Sequence, residues 1–415
     1  MINAMTNRSD RIKAQNVITA KPQTVRHVNR AAVLDLIRQH QPLSRADLAR
    51  LTGIHRSNIS IIVEELQKKG LLREERSKGR ARGRTPTLIS LNRGSVFVLG
   101  VNLRRTRTTM ALASLDGHVE ASYSFETPDT PEAFVQALVD GYRTVTRDAV
   151  DLKASARSVS QMVVSIPGIL DQTSDGKSTI WTPGLEKYSG ADLASMLRKQ
   201  LGVPCLLANN AGIGAMAALH AAEERGAQAK DFVFLVIGDV GVGSGVVIHR
   251  SLYSGYDAAY AGEVGHTVID PRGPICNCGR RGCWQLYICD TATWKRYNRK
   301  LEFTPARFAG FLDAVNQGSP KAVAVIKEMA EYLGLGISNI ALTLNPERIL
   351  LAGAVTAVWP ALQKELKSVF FLPHHHALIQ PIDVPADSLF LKGAIERAID
   401  MVLSASNVRS LRPAA

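Results

Sequence analysis

Long apolar runs are missing from this 415-residue chain. The best candidate for a bilayer span, residues 232–248, carries Asp239 and four glycines, which excludes an ordinary membrane helix. The first 27 residues alternate polar and charged groups without an apolar segment, so no secretory signal is expected and the cytoplasm is the default compartment. A disulfide framework is lacking too. Of the 5 cysteines, Cys276, Cys278 and Cys283 crowd into eight residues beside glycines, while Cys205 and Cys289 stand apart. Without an export signal, such clustering argues for a metal site, with reduced loop thiols as the alternative. Low-complexity tracts are also absent. An apolar content of 46% is ample for real cores, and the length implies two or three domains.

Acidic residues are scarce in the first quarter. Residues 1–94 hold 19 Lys/Arg against 7 Asp/Glu, a net of +12, whereas the remaining 321 residues hold 31 against 30. A basic module joined to a neutral domain points to a polyanion partner, although charge alone fits a solvated basic surface equally well.

Residues 1–26 show no sustained apolar period and are expected to form a flexible arm. Three helical patterns follow within a first domain at 27–94. The first covers 28–40, with Val33, Leu36 and Ile37 on one face, and stops at Pro42. Ser44 and Asp47 have the spacing of a capping box, opening a short helix with Leu48 and Leu51 as apolar positions. Gly53 makes a turn, and a third helix is predicted over 56–69, where Ile59, Ile62, Val63 and Leu66 repeat at helical spacing before Gly70. Short helix, glycine turn, longer helix is the helix-turn-helix arrangement. Its last helix enters the major groove, so Arg56, Ser57, Asn58 and Ser60 are the candidates for base contacts. The following segment holds Arg80, Arg82 and Arg84 before a strand-like run at 87–91. Two strands around that basic tip would make a wing laid along phosphates or in the minor groove, with a basic linker as the alternative.

From residue 95 strands alternate with helices. Strands are predicted at 96–101, 108–114, 118–125 and 159–166, with a helix over 131–148, an α/β pattern. His374-His375-His376 follows Pro373 with no acid or cysteine beside it and is expected to be solvent-exposed. Five segments then occur in a recognisable order: Ser165-Ile-Pro-Gly-Ile-Leu-Asp171, Asn209-Asn-Ala211, Gly241-Val-Gly-Ser-Gly245, Ala261-Gly-Glu-Val-Gly-His266 and Cys276-Asn-Cys-Gly-Arg-Arg-Gly-Cys283. With them the chain resembles the ROK family of sugar kinases and transcriptional repressors, and its domain order is that of the repressor branch.

The resemblance implies an α/β architecture in which a winged helix-turn-helix precedes an actin-like (ribonuclease-H-like), two-lobed, sugar-kinase-like domain at 95–405. One lobe would cover about 95–208 plus a C-terminal helix at about 388–405, and the other about 209–387. It implies one structural Zn²⁺ per chain, with His266 joining Cys276, Cys278 and Cys283, while Gly279 and Gly282 let the backbone wrap the ion. It also implies a sugar pocket of Asn209, Asn210, Glu263, His266 and Gln285. Two pocket positions depart from the family: Asn210 stands where the family has its catalytic Asp, and Gln285 where it has Glu. A carboxamide has no useful basicity near neutral pH. On the nucleotide side, Asn102 replaces an acid and Arg104-Arg105 replace glycines that let backbone approach phosphate. Catalytic residues are therefore expected to be absent. The leading reading is a sugar-responsive repressor of carbohydrate genes, acting on a double-stranded DNA operator as a homodimer or homotetramer, with a sugar or sugar phosphate as effector and no membrane insertion. The alternatives are an ATP-dependent sugar kinase fused to a DNA-binding domain, and a regulator controlled by a protein partner.

Overall fold

The computed structural model describes residues 22–76, 87–94, 96–149, 159–172, 178–182, 184–224, 230–255, 261–369 and 378–404. The chain divides into two compact units, the first ending at Leu91 and the second running from Asn92 to Val402.

In the first unit, helix α1 spans Pro22–His40, α2 Arg45–Thr52 and α3 Arg56–Lys68, and strands β1 (Leu43–Ser44), β2 (Leu72–Arg76) and β3 (Thr87–Leu91) form a sheet in the order β1-β3-β2. The Ser44 side chain accepts from the Asp47 amide while Asp47 accepts from the Ser44 amide, a complete capping box. Gly53, at φ 70°, closes α2. Past α3, the Leu71 amide reaches Leu66 O and the Gly70 amide reaches Gln67 O, a Schellman turn with Gly70 left-handed. Strand β2 pairs antiparallel with β3 from Leu72↔Leu91 to Arg76↔Thr87, the base of the expected wing.

Three expectations need correction here. Helix α1 starts at Pro22, within the stretch read as an arm, because proline suits the first helical turn. Its buried face is Val33, Leu34 and Ile37, with Leu36 only half-buried. In α2, Leu48 is fully buried but Leu51 is exposed. The wing arginines Arg80, Arg82 and Arg84 and the triplet His374-His375-His376 lie outside the described residues.

The second unit contains two five-stranded sheets with one topology. In the first, β4 (Phe97–Asn102), β5 (Arg107–Ser114) and β6 (Val119–Glu126) form an antiparallel meander, and β7 (Val159–Ile166) and β10 (Cys205–Asn209) extend it in parallel, giving the order β10-β7-β4-β5-β6. In the second, β11 (Phe232–Ile237), β12 (Val242–Ile248) and β13 (Ser251–Leu252) are the meander, and β14 (Arg348–Gly353) and β15 (Ile379–Pro381) the parallel pair. This duplication defines two lobes. Every residue of β4 and β11 is buried, as expected of apolar strands covered on both faces. Helix α4 (Pro131–Asp148) is capped by the Thr130 side chain and packs Phe134, Leu138 and Val145 into the first lobe's core. The second lobe's core is built around helix α10 (Pro320–Leu344) and Trp284.

Helices α6 (Asn210–Glu224) and α12 (Ala386–Leu403) pack where the lobes join. A Cβ on Gly245 of β12 would come within 2.5 Å of the Ala215 Cβ on α6, and one on Gly393 of α12 within 2.3 Å of Ile213 O. Gly245, in the hairpin segment singled out above, is thus needed for helix packing whatever else the hairpin does.

Candidate functional site

Strand β10 ends at Asn209, and α6 begins at Asn210. Asn209 Oδ1 accepts from the Gly212 amide at 3.0 Å and caps the helix start, while its Nδ2 donates to Gly168 O at 2.8 Å. Gly168 sits at φ 93°, and a Cβ there would lie 2.3 Å from Trp181 O. Asn209 therefore clamps two segments from the cleft side. Asn210, buried, turns its Oδ1 onto the Ala211 amide at 2.8 Å, leaving its Nδ2 as the unspent donor.

These residues border a cleft of about 150 Å³, partly open to solvent, whose lining draws on both lobes of the second unit. Asn209, Asn210, Glu263, His266 and Gln285, the five expected pocket residues, all line it. Glu263 has no hydrogen-bond partner among the described residues, and burial pushes its carboxyl up to about 7. Gln285 is less available than the sequence suggests. Its Oε1 accepts from the Val242 amide and its Nε2 donates to Cys276 Sγ, each at 3.4 Å.

Sequence reasoning missed Trp181, Thr182 and Asp239, which also line the cleft. The Trp181 ring lies 6.1 Å from the His266 ring and offers an apolar wall. Arg104 and Arg105 line it as well. The Arg104 Nε lies 3.2 Å from Asp387 and its guanidinium 5.7 Å above the Phe390 ring, whereas Arg105 is 3.9 Å from Asp239 on the opposite lobe. Asn102, behind them, has its Oδ1 buried without a partner.

Beside the cleft, His266, Cys276, Cys278 and Cys283 bring four donor atoms within 4.8 Å of one another. Cys278 Sγ is 3.5 Å from Cys283 Sγ, and Cys276 Sγ is 3.6 Å from His266 Nδ1. A tetrahedral ion with Zn–S bonds of about 2.3 Å requires edges of about 3.8 Å, so the set fits zinc. Gly279 and Gly282 both have positive φ, and a Cβ at 282 would strike Asp270 O at 1.6 Å, so the knuckle requires glycine there. Burial and the charge of Arg280 lower the His266 pKa, keeping the imidazole neutral as a ligand must be. Burial opposes ionisation of Cys278, but hydrogen bonds from Arg280 prevail and bring it down to about 7. Cys289 is buried and Cys205 half-buried, both outside this cluster.

In the first unit, Arg56, Ser57 and Asn58 are exposed at the start of α3, and Ser60 is half-buried. Ser57 Oγ is 2.8 Å from His55 Nδ1, which caps the helix. Ile61 is also exposed on this helix, an apolar neighbour that the hydrogen-bonding criterion passed over.

A three-stranded winged helix-turn-helix ahead of a duplicated, two-lobed sugar-kinase-like domain defines the class. The ROK family model matches residues 98–383 and the MarR family model residues 27–83. The chain belongs to the ROK family. It is 27% identical over 349 residues to the xylose repressor of Bacillus spizizenii, covering 83% of this chain and 86% of that one. It is 24% identical over 343 residues to the DNA-binding transcriptional dual regulator NagC of Escherichia coli, covering 80% and 82%. Among solved structures, a ROK family transcriptional regulator, a homolog of the E. coli MLC protein, superposes with a TM-score of 0.74 at 23% identity, covering 93% of this chain and 99% of that one. A ROK family glucokinase from Streptomyces griseus, in complex with glucose and AMPPNP, gives a TM-score of 0.60 at 21% identity over 73% of this chain and 99% of that one. No helix among the described residues is long and apolar enough to cross a membrane.

Proposed function

We propose that this protein is a sugar-responsive DNA-binding repressor of carbohydrate-uptake or catabolism genes, acting in the cytoplasm as a homodimer or homotetramer. The reading rests on one juxtaposition: a helix presenting Arg56 and Asn58 to solvent, in the same chain as a polar cleft lined by Asn210, Glu263 and His266. The α3 residues and the wing arginines Arg80, Arg82 and Arg84 contact operator DNA, base edges from the helix and phosphates from the wing. Asn209, Asn210, Glu263, His266 and Gln285 form the effector pocket. Hydroxyls both donate and accept, so the Asn210 amide and the Glu263 carboxylate suit them as complementary partners.

One zinc ion per chain is held by His266, Cys276, Cys278 and Cys283. With four protein ligands it is closed and structural, fixing the cleft wall at His266. The domain does no phosphoryl transfer. Asn210 has no basicity to activate a hydroxyl, and Asp239 and Asn102 surround the arginines where a nucleotide phosphate would need to approach. Binding of a sugar must favour one lobe arrangement over another, since equal affinity for both would shift nothing.

The test is a titration of operator DNA with full-length protein in the presence of single sugars. Xylose and N-acetylglucosamine, for which relatives are named, come first. A sugar that releases the DNA supports the reading. Phosphorylation of a sugar with ATP and magnesium, above a mock preparation, would put the kinase reading first.

A further inference from the structure

Ile61 is 50% exposed in the middle of α3, on the side of the helix turned away from the core. The core-facing positions are Ile59, Ile62, Val63 and Leu66, all buried, and the set does not include Ile61. At about 100° per residue, Ser57, Ile61, Glu64 and Lys68 fall together on the opposite face, and all four are exposed. One flank of that face is closed by α1, whose Arg26 is paired with Glu65. Single exposed apolar side chains are ordinary on a protein surface. What sets Ile61 apart is its place at the centre of the open face of a helix-turn-helix's last helix.

The chemistry of this face suits base edges and not phosphates. Between Arg56 and Lys68 the helix holds no Lys or Arg, while Glu64 and Glu65 are acidic. Attraction to phosphate needs cations, so the middle of α3 gains nothing from the DNA backbone. The Ser57 hydroxyl is held by His55 Nδ1 at 2.8 Å, which leaves Asn58 as the exposed polar reader one turn before Ile61. Three residues separate Asn58 from Ile61, a rise of about 4.5 Å along the helix axis. That is close to the spacing of about 3.4 Å between base pairs. In the major groove, the apolar group that marks a base is the C5-methyl of thymine. Contact between that methyl and an aliphatic side chain removes apolar surface of both from water.

We propose that Ile61 is a specificity-determining residue whose side chain packs on the C5-methyl of one operator thymine, in a base pair neighbouring the one that Asn58 reads. This rests on the reading of α3 as the recognition helix and adds an apolar contact that hydrogen-bond donors cannot supply. The contact favours thymine over cytosine or uracil at that position and adds little to the binding of other sequences.

In the experiment, full-length protein first selects its operator from a random duplex library. Each thymine of that operator is then replaced singly by deoxyuracil, which pairs identically but lacks the methyl group, and affinities are compared by competition. One position, with its mate in a palindromic site, loses about 3- to 10-fold on replacement, as burial of one methyl-sized group predicts. Ile61→Ala binds the thymine operator more weakly by a similar factor and no longer distinguishes thymine from uracil at that position. The other positions keep their discrimination, so the pair of changes forms a double-mutant cycle. Ile61→Val, one carbon shorter, retains part of the preference, and this graded response carries the test if the alanine protein binds no DNA. Unchanged discrimination in the variants at every position, or no loss at any thymine, overturns the contact while leaving recognition through Arg56 and Asn58 standing. A changed oligomeric state of Ile61→Ala in sedimentation, with thymine discrimination intact, makes Ile61 a contact between chains and also overturns it. Failure of the unaltered protein to enrich any sequence overturns the DNA-reading assignment itself, and this contact with it.

Discussion

Gln285 donates from its carboxamide nitrogen to Cys276 Sγ at 3.4 Å, linking the wall of the cleft to the cluster of metal-type donors. A hydrogen bond to a ligating sulfur orients it, and losing such a bond typically lowers metal affinity by about 10- to 100-fold. Gln285→Leu keeps the bulk, leaves the Val242 amide without its acceptor and should make zinc correspondingly easier to remove with a chelator. Cys278→Ser should go further, giving protein with less than one zinc per chain and a second unit of lowered melting temperature. Freshly purified protein without zinc, or a Gln285→Leu protein with unchanged chelator competition, would count against this arrangement.

Local rules were the most legible. Ser44 and Asp47 form the expected capping box, and α4 has the expected bounds, because both depend on residues within a few positions of one another. The start of α1 was not legible: residues 22–27 carry no apolar period, and Pro22 was the only signal. Leu34 replaced Leu36 on the buried face because Arg30, Val33, Leu34 and Ile37 follow the i, i+3, i+4, i+7 spacing of one helix face, from which Leu36 is rotated away. The matching order of the two sheets leaves no internal sequence repeat, since the lobes share topology without sharing side chains. Motif segments led to Asn210, Glu263 and His266, which share a local pattern. Trp181 ends a strand with Thr182 just after it, whereas Asp239 follows β11 on the other lobe, and only folding brings them to one cleft.

On DNA, Arg56 and Asn58 stand exposed at the start of α3, whereas the Ser57 hydroxyl is already held by His55. Arg56→Ala should relax preference at one base position, worth about 1–3 kcal/mol of discrimination. Ser57→Ala should loosen the helix start with little change in base preference. Arg82→Ala, in the wing segment, should weaken all sequences alike and reduce the salt slope by about 1. Competition binding across single-base operator variants, repeated over a salt series, separates the three. An unchanged preference in Arg56→Ala would mean that α3 does not read bases.

Asp290 is buried at the start of α8 (Asp290–Tyr297), with its Oδ1 unpaired. Burial, then the nearby Asp239, pushes its carboxyl up to about 8 against the opposing charge of Arg104, from an ordinary value of 3.8. The folded state therefore keeps a proton that the unfolded chain loses. The associated stability is fully present below about pH 4 and is lost as pH rises toward 8. Asp290→Asn stays neutral throughout. Its melting temperature should exceed that of the unaltered protein at pH 8.5, and the gap should narrow as pH falls and close toward pH 4. A gap that is constant with pH would show that the carboxyl titrates normally.

Glu263 allows the proposed ligand sensing to be tested apart from the other proposed roles. It lines the cleft, has no partner among the described residues and lies outside both the cluster of His266, Cys276, Cys278 and Cys283 and the first unit. Glu263→Ala should remove hydroxyl contacts while zinc content, melting temperature and operator affinity without effector stay close to those of the unaltered protein. An effector can shift the operator equilibrium only by its differential affinity for the two lobe arrangements, commonly about 1–3 kcal/mol, or about 5- to 150-fold in operator affinity. That factor should collapse toward one in the variant, because the group that distinguishes bound from free cleft is gone. The measurement is a DNA-binding titration of both proteins with and without the sugar that releases the operator from the unaltered protein. A Glu263→Ala protein that still releases the operator at the same effector concentration would place the sensor elsewhere. A variant that no longer binds the operator even without effector would mean that Glu263 supports the fold of the DNA-bound state instead of reading the ligand.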